Sequence, residues 1–510
     1  VIQKVETYLI KHWDALLAAL VACVSMCYLT AYSGIGLSPD SIVYSSAAIN
    51  LKNGAGLLDY NSLPLVEFPA GYPLFLAALS FISGFTPIAL APILNAGLFV
   101  VMILLTSQIL HAIEGITRWY RATFFLVLAS SPCLWEIYGM LWSETLFLVW
   151  VLVFILQWKR YTKAPNDGNL FVLGSIVGLA FLTRIAGISL LATGFALILF
   201  DGQINAVKKI KQLLLFSLVG IIPLAINLYR NYLVTGTAAG VREKALRSLG
   251  KNLVDSGWVL GTWLPFIGDN GFAGAMVLLA LLILVIALLL FRVFQQQYYH
   301  RTSTAVMASF LVYTIFILGI SSVSRFETLS SRLMSPMYLP LLITILYFVA
   351  ALISKTKHLF KYLSIGVAIL VLGFGLKNQY QINAANWEGI KYAGIPGYSE
   401  TQWTQSPMVA YINHHKDLLY GAVYADAPGG LYHLTGLHSL PLPHKEIKIE
   451  QQELFSHKDF IVVWFNDGVN NDLIEIPFIQ QRTQLVFKKE FEDGTIYYFR
   501  TDRNKPMANQ

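Results

Sequence analysis

Long apolar runs separated by short polar breaks dominate the first three quarters of the chain. A membrane span needs about 20 predominantly apolar residues. Runs that meet or approach this length fall at about 14–33, 88–111, 120–135, 142–158, 170–183, 185–200, 213–234, 272–294, 304–322, 333–353 and 362–376. The pattern predicts about eleven transmembrane helices. One further apolar run, 71–85, is short and follows a proline-flanked turn. It reads as an interfacial or re-entrant helix inside a long first loop, residues 34–87. After residue 376 the apolar runs cease and a mixed pattern begins. Residues 422–425, 460–465, 485–491 and 494–500 read as short strands, the last two joined through Asp493-Gly494. Residues 407–415 read as a helix capped by Ser406. The expected organisation is a transmembrane domain over 1–376 and a small α/β domain over 377–510.

Composition agrees. Of 510 residues, 56% are hydrophobic and 13% charged, against roughly 25% charged in ordinary soluble domains. Mean hydropathy is +0.58. The net charge of +7 argues for no nucleic acid, because the basic residues cluster in alternate loops: Arg118/Arg121, Lys159/Arg160/Lys163, Lys208/Lys209/Lys211, Arg292/Arg301 and Lys355/Lys357/Lys361. With eleven spans all of these fall on one side, the cytoplasmic side by the positive-inside trend. Counting 71–85 as a span would invert every one. The expected location is thus a plasma (inner) membrane, multi-pass, with the first loop and the C-terminal domain extracytoplasmic. Cys23, Cys27 and Cys133 lie in apolar runs and read as buried hydrophobes. His414, His415, His433, His438 and His444 have no metal-ligand spacing. There is no P-loop, dinucleotide fingerprint, nucleophile elbow or metalloprotease helix.

The unusual polar residues gather on the side opposite the basic loops. In Ser38-Pro39-Asp40-Ser41-Ile42-Val43-Tyr44, Ser38 or Asp40 reads as the cap of the following helix, and Asp40 reads alternatively as a general base. Arg184 interrupts an apolar run, where an unpaired charge costs about 2.5–3.5 kcal/mol on insertion scales. Arg230, Arg242 and Arg332 share its side. Each alone reads as well as a snorkelling or paired arginine. Four together, where positive charge is disfavoured, indicate an anionic ligand, since the guanidinium fork matches phosphate. Glu144 heads a span, where it serves either the helix N-terminus or a site as a second acid. Glu67, in Val66-Glu67-Phe68-Pro69, is a further candidate.

These segments resemble the C-type glycosyltransferase (GT-C) superfamily, particularly bacterial relatives of protein O-mannosyltransferases and lipid A aminoarabinose transferase. Pro39-Asp40-Ser41-Ile42-Val43-Tyr44 is similar to their first-loop acidic motif. Glu67-Phe68-Pro69-Ala70-Gly71-Tyr72-Pro73 is similar to the segment closing that loop. Thr183-Arg184-Ile185-Ala186-Gly187, Arg230-Asn231-Tyr232 and Ser331-Arg332-Leu333-Met334-Ser335-Pro336 resemble recurring segments of the superfamily. The resemblance implies a GT-C-like catalytic domain using a polyprenyl-phosphate-linked sugar donor and an extracytoplasmic lipid, glycan or protein acceptor. It implies a hexosyl- or pentosyl-type transfer with inversion, Asp40 as the base and outer-face arginines, Arg184 and Arg332 first, on the donor phosphate. Tyr44, Glu67 and Glu144 are implied as acceptor-side or second-acid residues. Two departures matter. Ser41 stands where many relatives have a second acid, so no cofactor is expected and a divalent metal is not favoured. Phe68 stands where the aminoarabinose transferases place a phosphate-contacting lysine, so the phosphate grip must lie elsewhere. The competing readings are a transporter or flippase, and a ligase or polymerase, of lipid-linked saccharides.

Overall fold

The computed structural model describes residues 2–239, 244–355, 358–419, 421–465 and 472–501. Its helices in chain order are α1 (Ile2–Leu29), α2 (Pro39–Lys52), α3 (Gly71–Ser83), α4 (Pro87–Leu110), α5 (Arg118–Ala129), α6 (Pro132–Gly139), α7 (Glu144–Lys163) and α8 (Asp167–Thr183). There follow α9 (Ile188–Leu199), α10 (Ala206–Thr235), α11 (Leu249–Trp263), α12 (Gly271–Phe294), α13 (Thr302–Val323), α14 (Ser331–Lys355) and α15 (His358–Ala393). Each of the eleven expected spans is helical. Among the described residues, seven helices are long and apolar enough to cross a membrane by themselves, or eight if α5 and α6 form one span. That pair is bent by 51°. Pro132 opens α6, and the Ser131 side chain caps it by accepting from the Leu134 N–H. α8 and α9 are shorter apolar helices, and α7 carries polar residues at both ends. α3 has 13 residues, about 20 Å of helix. That falls short of the roughly 30 Å hydrocarbon core, as its short apolar run predicts.

Two features depart from the apolar pattern. α11 forms in a stretch between spans to which the pattern assigns no element. Its stability is tertiary. Gly257 lies so close to α12 that a Cβ there would sit 1.9 Å from the Gly271 carbonyl oxygen, and one on Gly274 would sit 2.1 Å from that of Gly257. Small residues let the two backbones meet. α15 runs on to Ala393, past residue 376, where the hydrophobic composition ends.

The chain forms two compact units. The first comprises residues 1–29, 64–75 and 90–388, the helical bundle. The second comprises 30–63, 76–89 and 389–510. The first loop is therefore divided, and its leading half belongs with the C-terminal segment.

In the second unit a five-stranded mixed sheet has the order β2-β1-β3-β5-β4. Its strands are β1 (Ala422–Ala425), β2 (Leu440–Pro441), β3 (Asp459–Phe465), β4 (Thr483–Phe491) and β5 (Gly494–Thr501). β1 is parallel to β2 and β3, whereas β5 is antiparallel to both β3 and β4. β3 is a continuous Phe-Ile-Val-Val-Trp-Phe run, buried along most of its length as befits a central strand. β4 is the exposed edge and carries Lys488, Lys489 and Glu490, charges that discourage further strand pairing. Four strands and the Ser406-capped helix Pro407–His414 coincide with the segments expected from the pattern. The two-residue β2 was not predicted. Tyr424, Leu442, Leu454, Phe460, Val462 and Phe499 form the core of this unit.

Candidate active site

Within the bundle, two of the four arginines expected to bind phosphate, Arg184 and Arg332, come together on Glu144, one of the residues expected to act as a second acid. Glu144 is the first residue of α7. Asn95, fully buried on α4, donates to the carbonyls of Tyr138 and Met140 at 2.8 and 2.7 Å. It thereby fixes the turn that delivers Glu144. α8 ends at Thr183, and Arg184 is extended, with φ −152° and ψ 141°. A short 3₁₀ turn, Ile185–Gly187, leads into α9. Gly187 permits this turn, because a Cβ there would lie 2.6 Å from the Phe181 nitrogen. The interruption of the apolar run is thus a break between helices, and Arg184 stands in it.

Arg332 lies in the first turn of α14. Pro336, four residues on, has no N–H to give the Arg332 carbonyl, and the Ser335 hydroxyl supplies a 2.8 Å bond instead. Tyr313 on α13 donates to the Leu333 carbonyl at 2.7 Å. Trp263 of α11 donates from its ring nitrogen to Ser331 Oγ at 3.2 Å.

The Glu144 side chain is fully buried and holds both arginines. Arg184 Nη1 lies 2.6 Å from Oε2, and Arg332 Nε lies 2.7 Å from Oε1. Arg184 Nη1 also donates to Ser143 Oγ at 2.9 Å. The Arg332 guanidinium stands 4.4 Å from the centre of the Trp142 ring, with Glu327 3.8 Å away. Glu136 is also close enough to interact electrostatically with Arg332 and Glu144, so the two guanidiniums sit in a mixed-charge network of which Glu144 is the buried centre. The cluster thus holds two guanidiniums in fixed places around one buried carboxylate. Ser143 and Trp142 were legible only as neighbours of Glu144, and no local signal marks Glu327 as a partner of Arg332.

Arg230, also in the bundle, has a different set of partners. Its Nη1 donates to the Leu65 carbonyl at 2.5 Å and to Asn231 Oδ1 at 3.1 Å. Asn231 donates to the Val66 carbonyl at 3.3 Å, and Asn227 Oδ1 accepts from the Ala70 N–H at 3.2 Å. The last turns of α10 therefore clamp the backbone on both sides of Glu67, which is exposed. Arg242 lies outside the described residues.

Asp40 and Tyr44 lie in the second unit, on α2. Ser38, not Asp40, is the N-cap. Its Oγ accepts from the Ser41 N–H, and Ser41 Oγ accepts from the Ser38 N–H at 3.0 Å, a reciprocal capping box. Ser41 is completely buried, so the residue standing where relatives have a second acid has a structural task here. Asp40 sits in the first helical turn, partly exposed. Tyr44, one turn along the same face, is buried.

The C-terminal segment of this unit holds the Asp40 loop from several directions. The Ile395 N–H donates to Ser33 Oγ at 2.9 Å, and the Tyr398 N–H donates to the Leu37 carbonyl at 2.8 Å. Asn61 Nδ2 donates to the Ser439 carbonyl at 2.9 Å, and Tyr60 stacks on Tyr432, ring centres 5.2 Å apart. Asp59 accepts the N–H groups of Asn61 and Leu63. Burial pushes its carboxyl above the usual range, partly offset by these two bonds. Gly397 makes the closest approach. With φ at +109°, a Cβ there would lie 2.1 Å from the Leu37 carbonyl oxygen. Gly397→Ala combines overpacking, about 1–3 kcal/mol, with an unfavourable backbone region. In the full chain it should raise hydrogen exchange in α2 well above wild type. Unchanged α2 protection would remove the C-terminal segment from the support of Asp40.

Comparisons with known proteins agree on the fold. No protein-family model and no curated protein matches the chain. Solved structures do. ArnT from Cupriavidus metallidurans in the apo state is 13% identical with a TM-score of 0.55, covering 97% of this chain and 98% of its own. The same protein bound to undecaprenyl phosphate gives a TM-score of 0.54 at 13% identity, over 95% and 97%. The Archaeoglobus fulgidus oligosaccharyltransferase, in complex with zinc and sulfate, gives 0.51 at 12% identity, over 95% of this chain and 72% of its own. The chain shares the fold of these solved structures, a polytopic helical bundle with a small C-terminal sheet domain.

Proposed function

We propose that this protein is a membrane glycosyltransferase that transfers a sugar from a polyprenyl-phosphate donor to an acceptor outside the cytoplasm. The observation that carries this reading is the buried Glu144–Arg184–Arg332 cluster, two guanidiniums beside one carboxylate in a membrane bundle. Cations within a membrane bundle mark a functional path, and phosphate is the anion their donor geometry suits. The fold likeness to ArnT, one of whose structures holds undecaprenyl phosphate, supports the same ligand class. The side opposite the basic loops is the extracytoplasmic one.

In the reaction, a lone pair of the acceptor hydroxyl or amine attacks the anomeric carbon. The bond from that carbon to the phosphate oxygen breaks with its electron pair, leaving polyprenyl phosphate, and the configuration inverts. Asp40 takes the acceptor's proton. Arg184 and Arg332 stabilise the charge growing on the departing phosphate, the kind of preorganised electrostatic term that usually contributes most. Glu144 holds the two guanidiniums in place and lowers their mutual repulsion, a positioning part. Arg230 positions the segment around Glu67, and Tyr44 supports α2 beneath Asp40.

The experiment is reconstitution in vesicles with a radiolabelled polyprenyl-phosphate sugar and a mixture of envelope lipids and glycans as acceptors. A transferase consumes donor and releases polyprenyl phosphate. Arg184→Gln and Arg332→Gln should each cut that consumption by ~10²-fold, the cost of one oxyanion-stabilising donor. Donor that crosses the bilayer unconsumed would identify a transporter.

A further inference from the structure

The far end of α7 from Glu144 carries a second polar site. Lys159 and Lys163 lie roughly 25 Å along the helix from Glu144, at about 1.5 Å per residue. There a cavity of about 480 Å³ opens among the turn after α4, the last turns of α7, the turn before α13 and Tyr347 of α14. Nothing in the transfer chemistry uses it.

Its charge is one-sided. Lys159 and Lys163 both line it, and neither has an ion-pair partner among the described residues. Lys159 also feels the charges of Lys163 and Lys11. Arg301 lines the cavity beside Glu114, 2.8 Å away. His300 is held by Asp201 at 2.8 Å. Behind the wall stands Arg292, 2% exposed, with three hydroxyls as hydrogen-bond acceptors: Ser303 Oγ at 2.9 Å, Thr304 Oγ1 at 2.7 Å and the Tyr347 hydroxyl at 2.9 Å. Among the described residues that line the cavity, Lys159, Lys163 and Arg301 thus face one carboxylate, Glu114, with Arg292 behind the wall.

The hydroxyls point to the missing partner. Ser303 and Tyr347 accept N–H bonds from Arg292 and line the cavity. Their own protons have no acceptor among the described residues. A guanidinium behind a hydroxyl polarises it towards donation. His111 Nε2, also at this wall, is buried with no hydrogen-bond partner among the described residues. Lysines that serve only to orient a membrane protein need lie no closer than the end of a span. Lining a cavity with buried donors is more than orientation requires.

We propose that this cavity binds a phosphate-bearing anion, its oxygens meeting Lys159, Lys163 and the Ser303 hydroxyl. The volume fits a small-molecule headgroup. A basic pocket between membrane helices suits the headgroup of an anionic phospholipid, and a soluble phosphate offers the same chemistry.

The test uses the full-length protein in phosphatidylcholine nanodiscs, with phosphatidylglycerol in the disc or inorganic phosphate in solution. Thermal unfolding and retained lipid, by native mass spectrometry, are read for wild type, Lys159→Gln/Lys163→Gln and Ser303→Ala. Wild type is stabilised by one of the two anions. The double variant binds it at least about tenfold more weakly, having lost two charge-assisted contacts. Stabilisation by phosphatidylglycerol alone identifies the bilayer as the source; stabilisation by phosphate identifies a soluble ligand. Ser303→Ala keeps all the charge and should still weaken binding severalfold, which serves if the double variant does not fold. Lys208→Gln/Lys209→Gln, outside the cavity lining, should bind as wild type does. An absence of stabilisation by either anion, or an equal loss in the Lys208/Lys209 control, overturns the site.

Discussion

Asp40→Asn lowers the rate of sugar transfer by ~10²–10⁴-fold, the usual contribution of a positioned general base, while leaving the donor's apparent affinity close to wild type. Three observations make this a specific expectation. The N-cap of α2 is filled by Ser38 with Ser41, so Asn at position 40 removes no cap. Asp40 is partly exposed, so the change buries no new polar group. Asparagine keeps the volume and replaces the carboxylate by a group too weakly basic to take the proton. The readout is the split between kcat and KM for the donor, with hydrogen exchange of α2 as the control for folding. A lost kcat with unchanged α2 protection supports the base. A rate equal to wild type places the base elsewhere.

Glu144→Gln has the second large effect, on stability. The Glu144 carboxylate is fully buried and touches Arg184 and Arg332, which are 18% and 13% exposed. Removing one member of a buried charge group leaves the others uncompensated, at about 3–5 kcal/mol. Here Arg184 and Arg332 lose their shared carboxylate, although Glu327 stays 3.8 Å from Arg332. The variant should unfold at a clearly lower temperature in detergent than wild type. Saturating polyprenyl phosphate should restore part of that loss, because a phosphate replaces the missing negative charge. Arg332→Gln should cost less, since Glu144 keeps Arg184. A Glu144→Gln protein that melts with wild type would mean the pair is not compensated by this carboxylate.

The bundle was legible because lipid imposes a strict rule: every spanning segment must satisfy its own backbone and present apolar side chains. All eleven apolar runs became helices for that reason. α11 was not legible, since Asn252, Asp255 and Ser256 interrupt its apolar pattern and its place rests on glycine contacts with α12. In the C-terminal segment, β3 announced itself through its β-branched and aromatic run. β2 has two residues, paired in parallel with β1, and no local pattern specifies that.

The candidate site was half legible. A buried arginine in an apolar run signals a partner, but Arg184 and Arg332 reach theirs across 40 and 188 positions, and no periodicity carries such information. Arg230 shows the converse. It looked like the other arginines in sequence, yet its bonds run to the backbone at Leu65, a choice made by tertiary geometry alone. The role of the C-terminal segment was also hidden. Only the structure brings Ile395, Gly397 and Tyr398 against Ser33 and Leu37, three residues before α2 delivers Asp40.

The central claim is that this chain breaks a sugar–phosphate bond by single displacement. The most direct test follows the purified wild-type protein with a polyprenyl-phosphate sugar of known anomeric configuration, measuring released polyprenyl phosphate and the configuration of the new linkage by NMR. The account predicts one polyprenyl phosphate for each sugar transferred and an inverted anomeric centre. Retention of configuration, or donor recovered intact with every acceptor class, would contradict it.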